Sequence, residues 1–383
     1  MTGPRVRIEA GVLVDERSDL FSLGVVLYEL ATGQRPYSSS KDKAGPEGFA
    51  ELLEDRLEPV STLQKIVPTI PASLDMVIRR CLAPNPDERF DCAADLRQAL
   101  EACRVHLRSL RQLPPPPSWM NYFHRHPFIS LLLIPTFTNI LATIVNWSYN
   151  LIQIVGDFTG PQRHAFNWLV AIYNSIAFPV LVGITAYLLR RRHREWTDFH
   201  DGRLVTSDEI ASLRHRINFL ATWSIYGSLI GWLPGGLIFP LSVHYGGEPL
   251  NLEQYVHFLI SFTLSGMIAI TYCYLGSQYV VLRVLLPDLC GATDQGDQSL
   301  RQELKRLPTR LLIFQVLAGV IPLSGALMIV MVGHTYREDN WFRLLVCMLI
   351  VLGMVGFVFA LQITHYLQRV LNILLNPEQR RSN

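Results

Sequence analysis

Two hydrophobic rhythms divide the chain. Between residues 128 and 366, apolar residues come in six long stretches: 128–147, 168–189, 219–243, 256–285, 311–332 and 342–366. Each is about 20 residues or longer, and ~20 residues rising ~1.5 Å each cross a hydrocarbon core of ~30 Å. Almost no Lys, Arg, Asp or Glu interrupts them. Core helices of soluble proteins are rarely so long, and six in succession leave a six-helix transmembrane bundle as the reading. Ahead of residue 113 the rhythm is that of shorter amphipathic helices parted by polar turns. The predicted fold class is mainly α. A helical unit over 1–113 and a proline-rich linker over 114–127 precede the bundle at 128–366, and a tail follows over 367–383.

The front unit is organised around residues 14–37. Leu20, Leu23, Val26, Leu27 and Leu30 recur at helical spacing, and Phe21 and Val25 widen the stripe until it nearly surrounds the helix. Ser18 or Asp19 is expected to cap its start. Gly33 suits the left-handed residue past the last turn, and Pro36 bars continuation. Residues 38–48 read as a polar loop, and a short amphipathic helix is expected over 49–57. A further helix is expected over 72–82, with Leu74, Val77, Ile78 and Cys81 on its apolar side. Asp91 suits the cap of another over 92–105, lined by Leu96, Leu100 and Cys103. Leu113–Ser118 holds four consecutive prolines, a stiff extended spacer or, less commonly, a ligand for an SH3-type domain.

Charge orients the bundle. Residues 1–113 carry 15 Lys+Arg and 17 Asp+Glu, so this unit lacks the basic face that nucleic acid needs, and no nucleic-acid partner is expected. The loops over 190–216 and 283–310 and the tail together hold 15 basic residues, against three near the other connections. By the positive-inside rule both termini are expected in the cytoplasm, with the bundle in the inner, cytoplasmic membrane. Trp147, Tyr149, Trp168, Tyr245, Tyr255 and Trp341 then fall near the opposite face as an interfacial belt. The basic run Arg190–Arg194 fixes topology and is able to hold anionic headgroups. The six cysteines form no paired spacing, so no metal site is expected and buried thiols are the reading. No signal peptide is visible in the first 20 residues, so insertion is expected to be directed by an internal span.

The residues of the front unit carry a resemblance. Asp19-Leu20-Phe21-Ser22-Leu23-Gly24, then Leu27-Tyr28-Glu29-Leu30, Thr32-Gly33 and Pro36, resemble the central helix of the large lobe of protein kinases, bacterial Ser/Thr kinases above all. A second block is similar to the last kinase subdomain. It comprises Ile70-Pro71-Ala72-Ser73-Leu74, Arg80-Cys81-Leu82 and Pro84-Asn85-Pro86-Asp87-Glu88-Arg89-Phe90. The resemblance covers roughly residues 10–104, the tail end of a kinase. It implies structural roles for Asp19, Gly24 and Arg89. In the family the aspartate at Asp19 holds the catalytic-loop backbone. The arginine at Arg89 pairs there with a glutamate closing the activation loop, and Gly3-Pro4-Arg5-Val6-Arg7 supplies no such glutamate. The six spans resemble membrane modules attached to some bacterial kinases and nucleotide cyclases.

Phosphoryl transfer requires a loop over the phosphates, a lysine for them, a catalytic aspartate and a metal-binding aspartate. The sequence contains no Gly-rich loop, no His-Arg-Asp and no Asp-Phe-Gly. No catalytic, cofactor-binding or metal residue is therefore assigned, and Asp19 by itself is a helix-start carboxylate. ATP and magnesium are expected only where a complete kinase is reconstituted. The expected partners are membrane lipid, a second copy in a homodimer, and a separately encoded N-terminal kinase part. In the bundle, Asn139, Asn146, Asn174 and Gln278 are the polar insertions, expected mainly to hydrogen-bond between helices. Pro135, Pro179, Pro234 and Pro322 would kink helices, for transport or for packing alone. His124 and His126 precede the first span as interfacial histidines or pH-sensing groups. The leading expectation is a membrane-anchored signalling protein, a truncated or split bacterial Ser/Thr kinase inactive as this chain alone. A transporter or channel with a vestigial kinase-like domain, and a pseudokinase scaffold, stand as alternatives.

Overall fold

The computed structural model describes residues 6–7, 13–37, 56–112, 121–201, 207–246, 249–290, 298–332 and 340–375. A two-residue antiparallel pair, β1 (Val6–Arg7) and β2 (Leu13–Val14), leads into α1 (Glu16–Thr32). Asp15 caps α1, its carboxylate accepting from the Arg17 amide at 3.1 Å. The cap is thus neither Ser18 nor Asp19. The extended backbone of Asp15 lets its side chain turn back onto the first turn, which already contains both of those residues. At the other end Gly33 adopts φ 72° and donates to Glu29 O at 2.8 Å, the left-handed exit its sequence predicts.

Among the described residues two further helices belong to the front unit, α2 (Ala72–Cys81) and α3 (Ala93–Arg111), the latter ending six residues beyond its predicted end. Leu20, Gly24 and Tyr28 form the buried line of α1. Leu20 packs with Val77, Cys81, Phe90, Leu96 and Cys103, and Tyr28 with Leu63, Ile70, Ile78 and Leu82. The expected all-round stripe of α1 is not buried all round. Leu23, Val26 and Leu30 are 43%, 50% and 78% exposed, because only the i, i+4, i+8 line faces α2. The helix expected over 49–57 and the spacer 113–118 lie outside the described residues, apart from Arg56 and Leu57.

After the short α4 (Asn121–Arg125) come six long helices. They are α5 (Pro127–Gln153), α6 (Gly160–His200), α7 (Ser207–Gly246), α8 (Leu252–Val280), α10 (Gln298–Val332) and α11 (Asn340–Leu375), with α9 (Leu286–Cys290) between α8 and α10. All six are long and apolar enough to cross a membrane. Each predicted span lies within one of them, except that the fourth runs beyond α8 into a π-helical turn, Val281–Leu285. Pro135, Pro179, Pro234 and Pro322 lie inside continuous helices, as do Pro240 and Pro308. Helix α8 is the centre of the bundle. It packs on α5, α7 and α10, and 67% of its most apolar window is buried, against none for α6. Ala72 and Met76 of α2 join the bundle's own core beside Leu282, Leu286 and Leu289, so the front unit rests on the end of the bundle where α8 gives way to the π turn.

Candidate functional site

Arg89 lies where α1 meets the turn before α3. That turn begins with Pro84, continues through the 3₁₀ segment Pro86–Glu88 and ends at Phe90. Arg89 ties it together. Its Nε donates to Ala83 O at 2.8 Å, Nη2 to Pro84 O at 3.3 Å and Nη1 to Arg17 O at 3.5 Å, while the guanidinium stacks 4.6 Å from the Phe21 ring centroid. Burial pushes its pKa below the ordinary arginine value. Three backbone carbonyls thus take up the guanidinium's donors, where the family resemblance implies a glutamate. Arg17 clamps the same turn from outside, donating to Asp87 at 2.7 Å and Asp91 at 2.5 Å. Its hydrogen bond to Asp87 raises its pKa. Asp91, expected as a helix cap, has its carboxylate engaged by Arg17.

The three sequence-chosen residues are not gathered into one place. Asp19 is exposed on the first turn of α1. Gly24 is buried, and a Cβ there would stand 2.7 Å from Cys81 Cβ, so glycine is what permits α1 and α2 to touch. Sequence reading missed Asp75, which is 2% exposed. It accepts from Thr62 Oγ1 at 2.9 Å, Leu63 N at 2.8 Å and Arg79 Nε at 3.1 Å. Its signal was an acidic residue on the buried face of a short helix with Arg at i+4. Among the described residues no three His, Cys, Asp or Glu side chains converge as metal ligands. The carboxylates of Asp87 and Asp91 are both engaged by Arg17.

A second feature lies in the bundle. A crevice of about 150 Å³ runs between α5, α6 and α7, closed at the back by Phe262 of α8. No Asp, Glu, Lys, Arg or His lines it. Asn139 bridges the helices there, accepting from Trp232 Nε1 at 2.9 Å and donating to Ser228 Oγ at 3.3 Å. Tyr173 donates to Gly231 O, and Trp223 Nε1 to Thr185 Oγ1 at 3.1 Å. The expectation of interhelical amide bonds holds for Asn139. Asn146 and Asn174 instead bond within their own helices, to Asn150 and to Val170 O, because i and i+4 groups on a helix are closer than a neighbour across the crevice. Gln278 is 1% exposed and its Nε2 has no partner. Of the basic run 190–194, Arg192 turns inward and pairs with Glu195 at 2.5 Å, and Arg216 meets the same carboxylate at 3.2 Å.

Over about a quarter to a third of its length the chain is similar in sequence to bacterial protein kinases. It is 38% identical over 96 residues to the serine/threonine-protein kinase PknB of Mycolicibacterium smegmatis, covering 25% of this chain and 14% of that protein. It is 37% identical over 97 residues to the serine/threonine-protein kinase Pkn1 of Myxococcus xanthus, covering 25% and 13%. The tyrosine-protein kinase MasK of the same species matches at 32% over 134 residues, covering 35% and 20%. The chain therefore spans between about an eighth and a fifth of the length of these relatives. No protein-family model matches the chain, and no solved structure matches it significantly. The chain thus shares a segment of 96 to 134 residues with these longer kinases and also holds six helices long and apolar enough to cross a membrane.

Proposed function

We propose that this chain is a membrane-anchored signalling protein of the bacterial Ser/Thr kinase type. Its front unit would be the last part of a kinase large lobe, and its six helices would anchor and sense. The observation that carries the reading is the ordered kinase-similar segment fused to a bundle whose basic loops all fall on the side of that segment. That charge bias supports cytoplasmic termini in the inner membrane. The exposed Leu23, Val26 and Leu30 face of α1 supports a covering surface supplied by the remainder of a kinase, from the same polypeptide or a separate one. The catalytic motifs are missing from these 383 residues, so ATP and magnesium would be handled only by that remainder.

Two measurements test this. Purified alone in detergent, the chain is expected to transfer no phosphate from ATP, and Mg²⁺-dependent autophosphorylation would overturn the inactive-segment reading. Co-expression with a kinase N-terminal part carrying the Gly-rich loop and both catalytic motifs is expected to yield a stable complex through α1. No complex, with α1 still exposed to surface labelling, counts against it. The transporter reading draws support from the uncharged crevice. It would require solute flux in liposomes carrying this chain, and flux above empty vesicles would favour it.

A further inference from the structure

We propose that the crevice between α5, α6 and α7 binds a neutral, membrane-soluble compound: a flat ring with carbonyl acceptors carrying an apolar chain, the chemistry of an isoprenoid quinone. The proposal stands independently of the reading of the front unit.

Four observations define the ligand. First, nothing charged lines the crevice, and placing an ion among uncharged groups inside a bilayer is heavily disfavoured, so the ligand is neutral. Second, Asn146 lines the crevice, is 9% exposed, and its Nδ2 has no hydrogen-bond partner. Asn150 Oδ1 is equally unpartnered. Asn150 donates to Asn146 Oδ1, which leaves the Asn146 donor as the unanswered group on the crevice wall. A ligand carbonyl answers the donor. Third, Trp147, Tyr173, Trp223 and Trp232 line the same space, and their flat faces suit a planar ring. The indoles of Trp223 and Trp232 already donate to Thr185 and Asn139, so both rings are fixed in place before anything binds. Fourth, the lining changes character along the helices. The amides sit from mid-span to the Trp147 end, whereas Leu131, Leu132, Leu188, Leu189 and Leu220 line the other end. From Leu131 to Trp147 the slot follows α5 for roughly 24 Å at ~1.5 Å per residue, long enough for an extended chain. Helix α6, with no buried residue in its most apolar window, is the wall through which such a molecule enters from the bilayer.

The test uses the full chain in lipid nanodiscs, titrated with a benzoquinone bearing one prenyl unit and followed by tryptophan quenching. Wild type is expected to show saturable quenching above the linear partition background. Asn146→Leu, which removes the donor at similar volume, is expected to bind roughly five- to tenfold more weakly, the share of one hydrogen bond. Ala177→Phe, which fills the slot, is expected to lose the saturable phase. Ile176→Phe, on a side chain 59% exposed on the outer side of α6, is expected to match wild type. Hexadecanol, a neutral chain without a ring, is expected not to displace the quinone. Linear quenching in wild type, equal loss in the Ile176 and Ala177 variants, or displacement by hexadecanol at matching concentration would each overturn the proposal. The last would make the crevice a slot for lipid chains. If Ala177→Phe fails to fold, as judged by its melting transition, wild-type saturation, Asn146→Leu and displacement still decide.

Discussion

Replacing Gly24 by alanine separates two opposing effects that the front unit makes measurable. The new Cβ would lie 2.7 Å from Cys81 Cβ and 3.2 Å from Leu82 Cδ2. Non-bonded carbons settle at ~3.5–4.0 Å, so α1 must retreat from α2 by about 1 Å. No rotamer change relieves the contact, because the obstructing atom is itself a Cβ. Overpacking of this kind costs ~1–3 kcal/mol, and so rigid a clash belongs at the upper end. Alanine is the better helix former by ~1 kcal/mol, which offsets part of it and leaves about 2 kcal/mol of net destabilisation. The reporter is the Cys81 thiol. It is fully buried, and burial pushes its pKa up to about 12, so in the closed unit it is neither reachable nor ionised. Maleimide labelling at neutral pH therefore tracks opening of α1 from α2, and about 2 kcal/mol appears as a roughly thirtyfold faster rate. Peptide mass spectrometry resolves Cys81 from the half-exposed Cys92, whose rate is expected to change little. A Cys81 rate that stays the same or slows would refute the argument that the glycine is there for the close approach.

Three further outcomes follow from the same geometry. Asp75→Ala takes the acceptor from Thr62, from the Leu63 amide and from Arg79 at once, and is expected to cost about 3 kcal/mol, read by limited proteolysis of the front unit in urea. Asp75→Asn, which keeps a neutral acceptor, is expected to cost less, and a loss equal to that of Asp75→Ala would show that a neutral acceptor recovers nothing and that the charge carries these contacts. Arg89→Lys keeps the charge but not the fork over Ala83 and Pro84 or the stacking on Phe21, and is expected to lose about 1–2 kcal/mol in the same assay. His124 carries a pKa below its ordinary 6.5, chiefly from burial and then from the nearby Arg283 charge. A folded value below the unfolded one means that the unfolded chain takes up the proton first. This contribution to stability is complete above about 6.5 and fades as pH falls through and below that value. The melting temperature is expected to drop between pH 7.5 and 5 by a part that His124→Gln abolishes, and an identical drop in the variant would remove His124 as its source.

The hydrophobic pattern was enough to determined the class and most of the elements. Six mainly apolar stretches of about 20 residues or longer satisfy their own backbone as helices long and apolar enough to cross a membrane, and the capping chemistry of Gly33 is local. The kinase-like blocks were legible because two ordered motifs stood at the right separation. Other features depended on which faces meet, and a single chain read in one dimension does not specify that. Leu23, Val26 and Leu30 fit an apolar stripe by spacing, yet only Leu20, Gly24 and Tyr28 face α2. Arg89 seemed to need a carboxylate, but the fold bends Ala83, Pro84 and Arg17 carbonyls into its reach. Asp75 becomes a buried acceptor only because Thr62 and Leu63 fold onto it. The four span amides looked alike in sequence. Tertiary packing alone set Asn139 across the crevice to Trp232 and left Asn146 beside it with a donor to spare, because hydrogen bonds between helices form only where two backbones are held a side chain's length apart.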